Sequence, residues 1–361
     1  MDEINKNINE VYISAILPVY NVVDYLELAV KSLVTQTLEN IEIILIDDGS
    51  TDGSGQLADD LVQRYKNVVT VHQQNSGAAA ARNNGIKLAA GKYIYFMDPD
   101  DWIKPNMLRS MYSSAEQHQA QLVMTGFTNK YDNGQEQYAT SVKPESAIYM
   151  NHDDFRKSAH IYLNNTMLAV PWNKLYSREH ILERQLEFPS VKWDDLHFNL
   201  EAVKEIERVV VIDNDDYQFL RTRPGSETTK VFDKSLFEKR KQQFEHVLEI
   251  FDYWHLNNDL TDKALNYYFA SRVFQVVQEI SDNGSFTYKT KMQLIQKIAN
   301  DELVETVLSG ENDGSALVNM ALIPLRHKKI LLSLWCGKCV SFAKNRFSKS
   351  FSDMRVKLMK V

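Results

Sequence analysis

Cysteine is almost missing from this sequence. Only Cys336 and Cys339 occur among 361 residues, so no disulfide framework is available. Their Cys-Gly-Lys-Cys spacing matches half of a zinc site, but no second cysteine pair exists to complete it, and two reduced thiols are expected. The first ten residues, MDEINKNINE, hold neither the cationic nor the apolar segment of a secretory leader. No apolar run approaches the ~18 residues that span a bilayer. These absences put the expected location in the cytoplasm. Glycine is missing where two common nucleotide sites require it. The first strand-to-helix turn, LPVYNVVD, has none, which excludes the dinucleotide fingerprint G-x-G-x-x-G, and no G-x-x-x-x-G-K-[ST] loop occurs.

What is present is globular. The chain is 44% hydrophobic and 25% charged, enough for a sizeable core, and its length points to about two domains. Net charge is −7, unevenly placed. Residues 326–361 hold ten Lys/Arg and one acid, Asp353, a local +9, so the preceding 325 residues carry −16. An acidic body with a basic tail points to a negatively charged surface as a partner of the tail. No nucleic-acid partner is expected.

The first 130 residues alternate strand and helix. YISAILPVY (12–20), IEIILID (41–47), VVTVH (68–72), YIYFM (93–97) and LVMTGF (122–127) have strand length and composition. Helical spacing separates them, from Asp24 as N-cap, over 56–65, from Ala78 to a stop at Gly91, and near 105–118. Such alternation predicts βαβ units: an α/β fold with a mostly parallel sheet and helices on both faces. Ligands of such sheets bind at the carboxyl ends of the strands. Asp47 and Asp48, Asn75, and Asp98, Asp100 and Asp101 all follow strands there.

The cluster Asp98-Pro99-Asp100-Asp101 poses an electrostatic problem, because three carboxylates within four residues repel one another. A divalent cation held by one or two carboxylates, with phosphates completing its shell, offsets that repulsion and replaces a glycine-rich phosphate loop.

ILPVYN, IDDGSTDGS, NSGAAAARNNGIKLAAGKYIYFMDPDD, WNKLYSREHI and WDDLHFNL occur in that order. Over about residues 12–230 the chain resembles the inverting family 2 glycosyltransferases of the GT-A fold, in particular bacterial enzymes of capsule, exopolysaccharide, teichoic acid and adhesin glycosylation. The resemblance implies a UDP-sugar donor, Mn²⁺ or Mg²⁺, and a glycan acceptor on a lipid carrier or a protein. It implies that Asp48 bonds the uracil, that Pro18 and Tyr20 border the base, and that Arg82 reaches the nucleotide. Asp98 then lies near the ribose, Asp100 ligates the metal, and Asp195 is the catalytic base. Asp194 stands where the family more often has Glu. Arg221 and Arg223, in RTRPGS, occupy the position of a loop near the diphosphate, with a plain surface loop as the competing reading. The chemistry fits these groups: a carboxylate accepts the acceptor's proton, and a Lewis acid opposite it stabilises the departing diphosphate.

Other residues receive plainer expectations. Asp101 is expected to cap the following helix, Asn173 and Lys174 to brace the site floor, Trp193 to lie in the core or the acceptor-site wall, and His197 to be solvated. A glycoside hydrolase also needs two carboxylates, but it has no use for a nucleotide site. A non-catalytic nucleotide-sugar-binding scaffold would have no need of both Asp100 and Asp195. The expected organisation is a catalytic domain over 1–230, a helical add-on over 231–325 that shapes acceptor binding or self-association, and a basic amphipathic tail over 326–361. In the tail, Phe347, Phe351, Met354, Leu358 and Val361 line one helical face, which is expected to contact the inner face of an anionic membrane.

Overall fold

The computed structural model describes residues 11–132, 137–191, 193–221, 234–312, 314 and 316–346. They fall into two units, Met1–Phe155 with Met167–Arg223, and Arg156–Thr166 with Pro224–Val361.

In chain order the first unit begins β1 (Ile13–Val19), α1 (Val23–Val34), β2 (Ile41–Asp47), α2 (Ser54–Arg64), β3 (Val68–His72), α3 (Ala78–Leu88) and β4 (Tyr93–Phe96). It continues with β5 (Trp102–Ile103), α4 (Met107–His118), β6 (Leu122–Asp132), β7 (Gln137–Val142), β8 (Ala147–Tyr149) and the start of α5 (His152–Asn164). After the 156–166 excursion come β9 (Lys174–Ser177), α6 (Arg178–Glu183), α7 (Asp194–Lys204) and β10 (Val209–Leu220). These strands form a single sheet in the order β3-β2-β1-β4-β9-β6-β10-β5, with β7 beside β6 and β8 beside β10.

β1 pairs in parallel with β2 and β4, and β2 with β3. β9 is antiparallel to both β4 and β6, so β4 and β6 run the same way, and β10 is parallel to β6. Only β5, β7, β8 and β9 run in reverse. The sheet is therefore mostly parallel, as expected, although β9 carried no sequence signal of its own. Every residue of β1 is buried, the state of a parallel strand covered on both faces. Shared direction brings the carboxyl ends of β1, β2, β3 and β4 to one edge.

That edge is built by interlocked turns. α1 begins at Val23 and its N-cap is Val22, so Asp24 lies inside the first turn instead of capping it. The orphan donors are met from across the edge: Val22 N–H donates to Ser54 Oγ (2.8 Å) and Val23 N–H to Asp52 Oδ2 (3.1 Å). α3 ends at Leu88, three residues before the expected stop at Gly91. Gly49, at φ +73°, makes a left-handed turn after Asp48, and a Cβ there would crowd Asn75 N at 3.1 Å.

His72 ties β2, β3 and α2 together. Its Nδ1 lies 2.8 Å from Asp47 Oδ2 and its Nε2 lies 3.0 Å from Asp59 Oδ1. Gly55 allows this approach, since a Cβ there would sit 2.8 Å from Asp47 Oδ2. Asp47 Oδ1 in turn accepts from Ser50 N–H (3.1 Å), which fixes the turn around Asp48.

The second unit holds the end of α5 and then α8 (Leu236–Tyr253), α9 (Asp259–Asp282), α10 (Tyr288–Ala299), α11 (Glu302–Ser309), α12 (Ala316–Arg326) and α13 (Ile330–Arg346). Long α9 is its axis, and α8, α10, α11, α12 and α13 all pack on it. The aromatic stripe is core: Phe244, Phe251, Tyr268, Phe269 and Phe274 are buried, and Phe244 stacks on Phe269 at 4.3 Å. Residues 330–346, expected at the start of the tail, belong to this bundle as α13, whereas Phe347 to Val361 lie outside the described residues. Among the described residues, no helix is long and apolar enough to cross a membrane.

The hydrogen bonds from Asp47 and Asp59 raise the His72 pKa above its ordinary value, against the effect of burial. The protonated ring donates from both nitrogens. Its stabilisation is complete below the unfolded value of about 6.5 and is lost as pH climbs through the raised folded value. The ring is 48% exposed, so His72→Ala is expected to cost no more than about 1 kcal/mol at pH 6, and less at pH 9. Urea unfolding at both pH values checks this, and an equal loss at both would assign His72 to packing alone.

Candidate active site

β4 ends at Phe96, and the chain turns sharply through Asp98-Pro99-Asp100-Asp101, closed by Asp101 N–H donating to Asp98 O (3.2 Å). The three acids diverge in role. Asp101 is 1% exposed and accepts from Tyr217 Oη (2.5 Å) and Leu220 N–H (2.8 Å). It thus fastens the turn to β10 and caps no helix, because α4 begins later, after Asn106. Asp98 and Asp100 are half-buried.

Asp98 meets Arg82, which projects from α3. The Arg82 side chain lies 3.0 Å from Asp98 Oδ1 through Nη2, and through Nη1 it lies 3.3 Å from Asp194 Oδ2 and 3.1 Å from Asp195 Oδ1. It is a buried residue, 6% exposed, with its guanidinium 5.1 Å from the Phe188 ring centroid. The structure thereby joins three sequence-predicted site residues, Arg82, Asp98 and Asp195, with the neighbouring Asp194 into one cluster. The Nη1–H is aligned on Asp194, and buried Asp195 Oδ1 receives no aligned hydrogen bond.

The electrostatics follow from one cation facing several acids. Burial pushes Asp195 up and Asp194 adds to the rise, while Arg82 and Lys174 oppose it; the net result is about 6. Asp98 also goes to about 6, by burial against Arg82, with Asp100 and Asp195 adding repulsion. Asp194 is raised, again by burial first. Burial lowers Arg82, but Asp195, Asp98 and Asp194 outweigh it and raise its pKa. The acids interact strongly enough that their protons leave as steps of the set. This surplus of negative charge on hard oxygen donors suits a divalent cation. Among the described residues no three His, Cys, Asp or Glu side chains are grouped to hold a metal ion by themselves, so a cation here needs oxygens from its ligand.

Asp194 and Asp195 open α7, where the helix dipole favours anions. Trp193 before them is half-buried and holds a left-handed backbone, φ 61° and ψ 46°, a strained state for a bulky residue. Phe198 pins this turn by stacking on Phe188 at 3.9 Å, with Phe96 and Tyr176 edge-on. Asn199 donates to Asp195 O (2.8 Å) and accepts from Tyr176 Oη (2.6 Å). Sequence reasoning missed Phe188 and Asn199, neither of which carries a local signal. His197 is half-buried. Asn173 and Lys174 are fully buried: Asn173 Nδ2 donates to Thr125 O (3.0 Å), and Lys174 Nζ to Met167 O, Val170 O and Asn173 Oδ1. They brace the floor as expected.

Asp48, 3% exposed, accepts from Gln73 Nε2 (2.7 Å) and Ser76 N–H (2.8 Å) at Oδ1, and from Gly77 N–H (2.8 Å) at Oδ2. It anchors the loop that feeds α3 and keeps acceptor capacity on Oδ2. Pro18 is buried within β1, opposite Ile46, and Tyr20 just beyond is exposed. Arg221 Nε donates to Asn129 Oδ1 (2.7 Å), and its guanidinium lies 4.3 Å from the Phe219 ring centroid. Arg223 lies outside the described residues.

Comparison with known proteins agrees with this geometry. The pattern of Glycosyl transferase family 2 matches residues 14–184. The glycosyltransferase EpsJ of Bacillus subtilis is 32% identical over 246 residues, 68% of this chain and 71% of EpsJ. GlyG of Streptococcus pneumoniae is 31% identical over 236 residues, 62% of this chain and 75% of GlyG. The crystal structure of S. aureus TarS 1–349 in complex with UDP-GlcNAc has the same fold, with a TM-score of 0.66 at 20% identity over 92% of each chain. The chain belongs to glycosyl transferase family 2, and it is a glycosyltransferase.

Proposed function

We propose that this enzyme moves a hexosyl or N-acetylhexosaminyl group from a UDP-sugar to a hydroxyl of a glycan acceptor, with inversion at the anomeric carbon. The acceptor class is a cell-surface polysaccharide precursor or a glycoprotein glycan. The observation that carries the reading is the Asp195 carboxylate, raised to about 6 and held by Arg82 beside the acidic strand tip. The uridine donor draws support from TarS 1–349, whose structure contains UDP-GlcNAc.

In this reading Asp195 accepts the proton of the acceptor hydroxyl as that oxygen bonds to the anomeric carbon. The bond from that carbon to the diphosphate breaks on the opposite face, and UDP departs. Asp48 offers its remaining lone pair to the uracil, with Pro18 and Tyr20 at the border of the base. Asp98 lies toward the ribose, while Arg82 holds both acid groups in register and faces the nucleotide. Asp100 would hold Mn²⁺ or Mg²⁺, which supplies positive charge to the diphosphate oxygens. Arg221 and Arg223 are assigned to the diphosphate side, Arg221 being oriented by Asn129 and Phe219.

Two measurements test the assignments. Asp195→Asn is expected to bind UDP normally and to transfer at least ~10²-fold more slowly. In the native enzyme kcat/KM should rise with pH through about 6 as the acid set loses a proton, and this rise should shift or flatten in the variant. Weak UDP binding with intact transfer chemistry would remove Asp195 from the base role, and a product retaining the donor's anomeric configuration would reject inversion.

Asp100→Asn should lower turnover by orders of magnitude without lowering the melting temperature. EDTA should silence the native enzyme, and added Mn²⁺ should restore it. Full activity of the variant, or of the native enzyme in excess EDTA, would sink the metal assignment.

A further inference from the structure

Helix α13 carries large apolar side chains outside its buried side as well as within it. Its inward side, Ile330, Ser333, Leu334, Gly337 and Ser341, is buried, and the helix packs on α9. Gly337 permits this contact, since a Cβ there would collide with Ser281 Oγ and lie 3.0 Å from Val277 O. At about 100° per residue, Leu331, Trp335, Lys338 and Phe342 share one strip, turned roughly a third of the way round the helix from the buried side, and Leu332 lies nearly opposite that side. These side chains stand in solvent: Trp335 is 59% exposed, Phe342 70%, Leu332 56% and Leu331 47%. From α12, which packs against α13, Met320 (62%) and Ile323 (51%) are exposed too. A helix that is apolar all round is normally enclosed by protein or lipid, and a concentration of exposed apolar side chains marks an interaction surface.

Charge identifies the occupant. Residues 316–346 contain six Lys/Arg and no Asp or Glu. Lys338 is exposed within the strip, Arg326 and Lys329 are exposed just before α13 begins, and Lys328 is held by Glu305. A symmetric pairing of two copies through this strip would bring its cations against one another without an acid inside the strip to balance them. An anionic lipid surface satisfies both components at once: headgroups take the lysines and arginines, and the indole and phenyl rings enter the headgroup–acyl boundary.

We infer that the exposed face of α12 and α13, centred on Trp335 and Phe342 and carrying the cations Arg326, Lys329 and Lys338, docks this protein in the plane of an anionic bilayer. α13 lies on the membrane and does not cross it, because its other side is fixed to α9. The inference rests on the second unit alone and is independent of the donor reading.

The test uses the full chain and vesicles of phosphatidylcholine with or without phosphatidylglycerol. The native protein is expected to float with the phosphatidylglycerol vesicles at low salt, to release at high salt, and to ignore phosphatidylcholine alone. Trp335→Ser/Phe342→Ser should weaken flotation by about tenfold or more, whereas Trp335→Phe should keep most of it. Brominated lipid should quench native tryptophan fluorescence, and Trp335→Phe should lose most of that quenching. Circular dichroism and UDP affinity, measured in parallel, separate misfolding and failure of the donor reading from loss of docking. Flotation of the double variant equal to that of the native chain would overturn the inference, as would a native protein that stays in the soluble fraction. A dimer that forms without lipid and dissociates in the double variant would assign the face to a second copy instead.

Discussion

A single guanidinium organises the acidic cluster at the strand tip. Arg82 is buried and meets Asp98 from the strand tip and Asp194 and Asp195 from the start of α7, so three segments distant in sequence are tied through one side chain. Arginine suits this place because its planar fork offers two nitrogens to different acids and stays charged when buried. A lysine would present one point charge and could not span both sides. Three carboxylates face one cation, and burial first, with repulsion among the acids added to it, raises their carboxyls. The site is thus built around an attraction that is strong and incomplete, the condition under which a further cation binds.

Everything that places Arg82 therefore matters to the chemistry. Asp48 holds the loop of Gln73, Ser76 and Gly77, and that loop delivers α3. Asp47, His72 and Ser50 hold the turn that carries Asp48, and Asp52 and Ser54 close the start of α1 from the same turn. On the opposite side, the strained Trp193 backbone and the Phe188–Phe198 stack set the two acids at the helix N-terminus. Strain of this kind persists only where the surroundings over-determine it, and here an aromatic cluster and the Asn199 hydrogen bonds do so.

The helical unit follows different physics. Its core is aromatic and aliphatic around α9, and side-chain N-caps at Asn258, Thr287 and Asp301 start α9, α10 and α11. Among the described residues of this unit, the α12–α13 face gathers exposed apolar side chains from two helices, and residues 316–346 themselves hold no acid.

The sequence alone determined the alternation of strands and helices, the carboxyl edge of the sheet and the acidic strand tip. These are local properties: periodicity, turn chemistry and charge density are all written within a dozen residues. The tertiary structure decided what each acid does. Asp101 looked like a helix cap until Tyr217 and Leu220, more than a hundred residues away, proved to be its donors. Asp24 lost its capping role to Asp52 and Ser54 for the same reason. β9, four residues long, becomes a strand only because β4 and β6 flank it, and Phe188 matters only once Arg82 and Phe198 lie against it. Pairings of high sequence separation leave no periodic trace in the chain, because they depend on which surfaces the folded sheet brings within a few ångströms.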